Sequence, residues 1–319
     1  MAEKLIITAA LTGAVMVPTQ NPHLPFAPEH LIADAEACVK AGASSIHIHA
    51  RNPETGQPSS DPDLFAPILS GINAKTDAVV SITTGGGMGK LPKDRLRVIP
   101  RYKPELASFC LGTMNFSVHP EAKRIKEWVY DWEEPYVSGT KDFIFRNTFG
   151  DMEVFGATFA EHNTRPEFEA YDVSHLYNLR FLANHGIVKS PFWIQFVLGV
   201  LGGVGATPHD LMVMKQTADR LFGAENYKWS VSGVGYPMQF DLAAMAIVIG
   251  GHVRVGLEDD LFVREGVLAT NAQLVEKVVR LAKELDREIA TPTEMRAMLG
   301  LKGKGAITFP KMETIHNEK

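Results

Sequence analysis

Hydrophobic positions in this chain fall into short, dense runs separated by longer stretches with helical spacing. Leu5-Ile6-Ile7-Thr8-Ala9-Ala10 is the first run. Others occupy residues 44–51, 78–83, 106–111, 166–171, 192–198, 227–232 and 252–256. Each has strand length and is bounded by turn residues. Between them, residues 28–41, 62–75, 151–162, 174–185, 207–222, 240–249 and 271–286, and a segment from Pro92, read as helices. Local chemistry agrees. Pro28 and Glu29 suit a first helical turn, Gly42 suits a C-cap, and Thr207-Pro208 suits a helix start. In the last long helix Leu274, Val275, Val278, Val279, Leu281, Ala282 and Leu285 recur at helical spacing.

Eight strands, each followed by a helical segment, predict a (β/α)₈ TIM barrel. The competing arrangement is an open doubly wound sheet. Its glycine fingerprint is missing, because Ala9-Ala10-Leu11-Thr12-Gly13 lacks the spacing. Residues 1–319 therefore read as one barrel domain. Two segments interrupt the rhythm. Residues 117–150 are rich in aromatics and too long for an ordinary connection, so they read as a folded insertion or lid after strand 4. Residues 291–319 read as a C-terminal extension, a short helix and polar tail suited to subunit contacts or disorder.

Composition narrows the function classes. The chain has 319 residues, 45% hydrophobic and 22% charged, with a formal net charge of −5. That is a soluble globular composition with no basic bias toward nucleic acid or membrane surfaces. Cys38 and Cys110 are too few for a disulfide framework or a cysteine zinc site. No signal peptide and no long apolar segment is evident, so a cytoplasmic location is expected.

Candidate chemistry collects at strand ends. In Ser44-Ser45-Ile46-His47-Ile48-His49-Ala50-Arg51 the two histidines share one face, about 7 Å apart by the strand rise. The fifth strand offers Glu167 and Glu169 with the same alternation, and the eighth offers His252 and Arg254. Continuing that parity past Gly256 reaches Glu258. Strands two and eight are both even, and even strands feed the same interior layers of such a barrel. Two imidazoles and one carboxylate with an open position suit zinc, or another divalent metal. The alternative is an ion-pair network of Glu169, Arg254 and Glu258. Thr83-Thr84-Gly85-Gly86-Gly87 ends the third strand, where bare amides and hydroxyls suit a carboxylate. Residues 199–205 form a second glycine-rich loop before a helix start, a weaker signal for an anion. Neither a Walker loop nor a nucleophile elbow is present.

These residues resemble a known family. The segments 8–14, His47-Ile48-His49-Ala50-Arg51, Thr83-Thr84-Gly85-Gly86, Gly112-Thr113-Met114-Asn115-Phe116, Gln195-Phe196-Val197-Leu198-Gly199 and 250–259 are similar, in order, to motifs of the β-keto acid cleavage enzymes. The resemblance implies a zinc-dependent barrel, usually a homotetramer, that condenses a β-keto acid with acetyl-CoA. Acetoacetate and a new acyl-CoA would be the products. It implies His47, His49 and Glu258 as metal ligands. Asp259 would be the base, oriented by Arg254, with Glu169 as a further catalytic carboxylate. Thr83, Thr84, Gly85 and Gly86 would hold the substrate carboxylate, and Ser108 would add a substrate contact. A metal-dependent aldolase or hydrolase without CoA is the alternative. Val15 stands where the amine-substrate members carry Glu, so a neutral or apolar substrate tail is expected. Thr83 replaces a Ser, and Ser108 and Cys110 replace a Thr and an Asn.

Overall fold

The structure is a computed structural model and describes residues 3–85 and 87–308. Eight parallel strands close a barrel: β1 (Ile7–Ala10), β2 (Ser45–Ile48), β3 (Val79–Ile82), β4 (Leu106–Cys110), β5 (Arg165–Ala170), β6 (Phe192–Leu198), β7 (Tyr227–Gly233) and β8 (His252–Val255). Each pairs with its sequence neighbours, and β1 pairs with β8 to complete the ring. The expected TIM barrel is the fold.

The outer helices are α1 (Pro28–Ala41), α2 (Phe65–Lys75), α3 (Val98–Tyr102), α4 (Phe149–Glu161), α5 (Val173–Asn184), α6 (Pro208–Phe222), α7 (Met238–Val248) and α8 (Asn271–Glu284). The helix expected from Pro92 is two short pieces, Pro92–Arg95 and α3. Pro100 explains the break, because it has no amide to donate and is tolerated only in a first turn. Outward strand residues such as Ile7, Ala9, Ile46, Ile48, Val253 and Val255 join one core with apolar helix faces. Strand alternation therefore sends the other parity into the barrel.

The short extra helix expected after Thr291 is present at Pro292–Leu299. Helix α9 (Pro292–Leu299) is no loose tail: Met295 and Leu299 pack against Ile6, Val79, Leu106 and Trp193. Arg296 Nε donates to Glu105 Oε2 at 2.9 Å, and its Nη2 donates to Glu105 Oε1 at 2.9 Å. The helix thus seals the lower end of the barrel. Lys304 Nζ still grips Asn73 O and Thr76 O. The last part of the expected tail, residues 309–319, lies outside the described residues.

Over the opposite end runs the aromatic segment. Met114–Asn115 pairs antiparallel with Ile144–Phe145, and a helix spans Glu133–Gly139 between them. The buried Glu133 accepts from Thr19 N at 2.9 Å and Thr19 Oγ1 at 2.6 Å. Trp132 Nε1 donates to Thr55 O, and Tyr136 OH donates to Ala14 O. These bonds tie the segment to loops at the carboxyl ends of β1 and β2.

Candidate active site

His47 points into the barrel from β2, in register with Ser81 of β3. The strand stops at Ile48, so His49 stands just beyond it, yet both rings turn inward with centroids 5.2 Å apart. Glu258 arrives from the turn after β8. That turn crosses β1 so closely that a Cβ at Gly256 would sit 2.0 Å from Ala10 O. Glu258 N donates to Ala10 O, and a Cβ at Gly13 would lie 2.5 Å from Glu258 Cγ. Only glycine permits both approaches. His49 Nε2 then lies 3.2 Å from Glu258 Oε1, and His47 Nε2 lies 3.8 Å from Oε2.

This cluster fits a divalent cation on three counts. The ligand atoms of His47, His49 and Glu258 all lie within 4.8 Å of one another. Glu258 Oε2 is buried without a hydrogen-bond partner. His47 Nδ1 is engaged with Ser81 Oγ at 3.2 Å, and Ser81 Oγ donates to Glu167 Oε2 at 3.0 Å. A backing partner on one imidazole nitrogen leaves the other as a lone-pair donor, as metal-ligating histidines require. Burial lowers the His47 pKa to about 3, so the ring is neutral.

Arg254 joins the carboxylates. Its Nε and Nη2 donate to both oxygens of Asp259 at 2.8 and 2.9 Å. Nη2 also lies 2.7 Å from Glu258 Oε1, and Nη1 donates to Gln195 Oε1 at 2.9 Å and lies 3.8 Å from Glu169 Oε1. Burial opposes charge on Glu258, but Arg254 and the two imidazoles outweigh it and hold the carboxyl well below its usual range. Asp259 keeps a raised pKa because burial outweighs Arg254. Glu169 is pushed up to about 8, chiefly by burial. The ion-pair network and the metal cluster are therefore one structure.

Some expected residues stand elsewhere. Thr84 N donates to Ser108 Oγ and Thr84 Oγ1 donates to Ser108 O, so the two hold β3 to β4 rather than line the chamber beside His49. The Gly85 amide already donates to Thr83 Oγ1 at 2.8 Å, which leaves the Thr83 hydroxyl proton free for a ligand. Gly86 lies outside the described residues. His252 shares a face with Arg254 but sits a layer lower, accepting from Ile6 N. At the second glycine loop Thr207 and Asp210 already cap α6, so a carboxylate occupies the expected anion position. Arg51 serves the scaffold, donating to Thr12 O, Gly13 O, Met16 O and Gly56 O. Sequence reasoning missed Ser81 and the bond from Gln195 to Arg254. Both have inward parity, the signal that found the histidines.

Two spaces open on this centre. An inner chamber of about 80 Å³ is lined by His49, Thr83, Gly85, Glu169 and Glu258, with Val15 and aromatics of the insertion. An outer cavity of about 660 Å³ meets it at Val15, Phe116, Tyr171 and Glu258, and takes in Arg254, Asp259 and Arg124.

Comparison with known proteins decides the family. Residues 4–301 match the model of the beta-keto acid cleavage enzyme family. The chain belongs to that family. The 3,5-dioxohexanoate:acetyl-CoA acetone transferase of Paraburkholderia graminis is 44% identical, over 96% of this chain and 98% of its own length. The 3-keto-5-aminohexanoate cleavage enzyme of Fusobacterium nucleatum is 39% identical, over 95% and 100%. A solved ternary complex of ObcA with a C4-CoA adduct and oxalate superposes with a TM-score of 0.66 at 19% identity, covering 88% of this chain and 68% of that one. At that identity ObcA shares the fold alone. The His47-Ile48-His49 and Gly256-Leu257-Glu258-Asp259 segments, which carry the sequence resemblance, meet at the barrel mouth.

Proposed function

We propose that the protein condenses a β-keto acid bearing a neutral tail with acetyl-CoA, giving acetoacetate and a new acyl-CoA. The carrying observation is that Asp259, fixed by both arms of the Arg254 fork, stands beside Glu258 where the two spaces meet. His47, His49 and Glu258 would hold zinc or another divalent cation, which would supply Lewis acidity at the keto oxygen, worth several kcal/mol. Asp259 takes the α-proton, and burial, which raises its pKa above the usual carboxylate value, strengthens it as a base. The carbanion attacks the thioester carbonyl of acetyl-CoA and expels the CoA thiolate. The thiolate then attacks the former keto carbon. The carbon–carbon bond breaks, leaving the new acyl-CoA, and the acetoacetate carbanion takes back the proton held by Asp259. Thr83 Oγ donates to the substrate carboxylate, Glu169 stands ready beside Arg254, and Val15 faces the tail.

Several lines support this reading. The chain is 44% identical to a relative named for acetyl-CoA and a dioxo acid, against 39% for one named for an amino acid substrate. The outer cavity is the roomier space for acetyl-CoA. We propose a homotetramer on the family resemblance, and a cytoplasmic location as the default for a chain of this composition. Among the described residues no helix is long and apolar enough to cross a membrane. The deciding experiment incubates zinc-loaded protein with acetyl-CoA and a panel of β-keto acids. Acetoacetate formed only with acetyl-CoA is expected. Turnover without CoA would sink the reading in favour of an aldolase or hydrolase.

A further inference from the structure

Arg95 is 3% exposed, yet among the described residues its hydrogen-bond partners are neutral oxygens and no carboxylate pairs with it. Its Nη2 donates to Arg146 O at 3.2 Å and Asn147 Oδ1 at 2.7 Å, and its Nε has no partner. A buried cation without a contact ion pair is costly, and only the more distant Asp151 and Glu169 carboxylates favour its charge, so its place here calls for a use. The guanidinium lies 5.0 Å from the centroid of Phe145 and 5.5 Å from that of Phe155. Phe145 lines the inner chamber, whereas Arg95 does not. Phe143 stacks on Phe145 at 6.4 Å, Phe116 meets it edge-on at 6.0 Å, and both line the chamber too.

A chamber walled by aromatic rings ordinarily attracts cations through the negative ring faces. Here one ring is already engaged by a fixed positive charge, and the interior around it is poorly screened. The chamber's two carboxylates offer no relief to an incoming ammonium, because Glu258 and Glu169 both face Arg254. We propose that Arg95, acting through Phe145, is a specificity-determining positioning residue that makes the chamber refuse ammonium tails and accept uncharged tails of equal size. The inference rests on the β-keto acid reading of the site and adds a determinant independent of Val15.

The test uses a size-matched pair, 5-methyl-3-oxohexanoate and 5-amino-3-oxohexanoate, which differ by a methyl against an ammonium. Binding of each to zinc-loaded protein without acetyl-CoA is measured by calorimetry. The wild type is expected to favour the methyl acid by about tenfold or more, the size set by one unit charge at short range in a weakly screened interior. Arg95→Gln should cut the ratio by about threefold or more, through the amino acid's Kd, leaving the part that Val15 sets, while Arg95→Lys keeps the discrimination. A wild type that binds both equally, or an Arg95→Gln protein with an unchanged ratio, overturns the inference. If Arg95→Gln fails to fold, the lysine variant decides: loss of discrimination with the charge kept also overturns it. Discriminating binding with no acetoacetate from acetyl-CoA would sink the cleavage reading and leave this inference standing. Binding of neither acid would sink both.

Discussion

Arg254 holds Asp259 by both carboxylate oxygens, at 2.8 and 2.9 Å, while the same guanidinium reaches Glu258 at 2.7 Å. One planar fork therefore sets the angle between Asp259, the proposed base, and Glu258, the proposed metal ligand. Lysine is a point charge without that geometry. Arg254→Lys is expected to lower kcat/KM by about a hundredfold through misplacement alone. Asp259→Asn is expected to abolish turnover. Both variants should keep their metal, checked by elemental analysis beside steady-state rates; full activity in Asp259→Asn would place the base elsewhere.

Ser81 carries the hydrogen bond that fixes His47 and passes it on to Glu167. Ser81→Ala removes that backing while leaving all three ligands. Metal affinity is expected to fall by about 10- to 100-fold, measured by competition with a chromophoric chelator. An unchanged affinity would mean that packing alone orients the ring.

Gly13 has φ +59 and faces Glu258 Cγ, where a Cβ would stand 2.5 Å away. Gly13→Ala meets both backbone strain, about 1–2 kcal/mol, and a clash with a ligand. Loss of metal together with a lower Tm is the expected result. A variant that loads zinc normally would show that the turn can move aside.

Glu169 gives a pH signature. Its folded pKa of about 8 lies above the value of about 4.3 for a free glutamate, so the folded protein binds a proton that the unfolded chain releases. The stability this contributes is fully present below the unfolded pKa and is lost as pH rises through about 8. Metal-stripped protein should therefore lose Tm across that window, and Glu169→Gln should flatten the loss. Parallel melting profiles for the two proteins would refute the assignment.

Val15 lines both spaces and bears no charge. Val15→Glu is expected to shift the kcat/KM ranking toward amine-bearing β-keto acids. If the ranking across the substrate panel stays as it was, Val15 does not meet the tail.

Strand parity made much of the centre legible in advance. It grouped His47, His49, Glu169 and Arg254, and its extension past Gly256 reached Glu258. Parity is a local property, so one segment suffices to read it. Pairings between segments left no such trace. Nothing near Ser108 announces that its hydroxyl receives Thr84 N, and nothing near Gly85 shows its amide turned to Thr83 Oγ1. The sealing helix at Pro292–Leu299 offers only Met295, Leu299 and partly buried neighbours as apolar contacts. So short a stripe does not tell a barrel plug from a surface helix. The segment 117–150 stands out by its length and aromatics, but its tie to Thr19 runs through a buried glutamate, which composition counts as surface charge.

The ring closes only when β8 finds β1, and Glu258 follows β8. A chain emerging from the ribosome therefore displays both imidazoles long before their third companion is synthesised. Until the final strand docks, Glu258 and Asp259 cannot stand beside the two imidazoles. A chain cut before β8 therefore lacks Arg254 and both of these carboxylates.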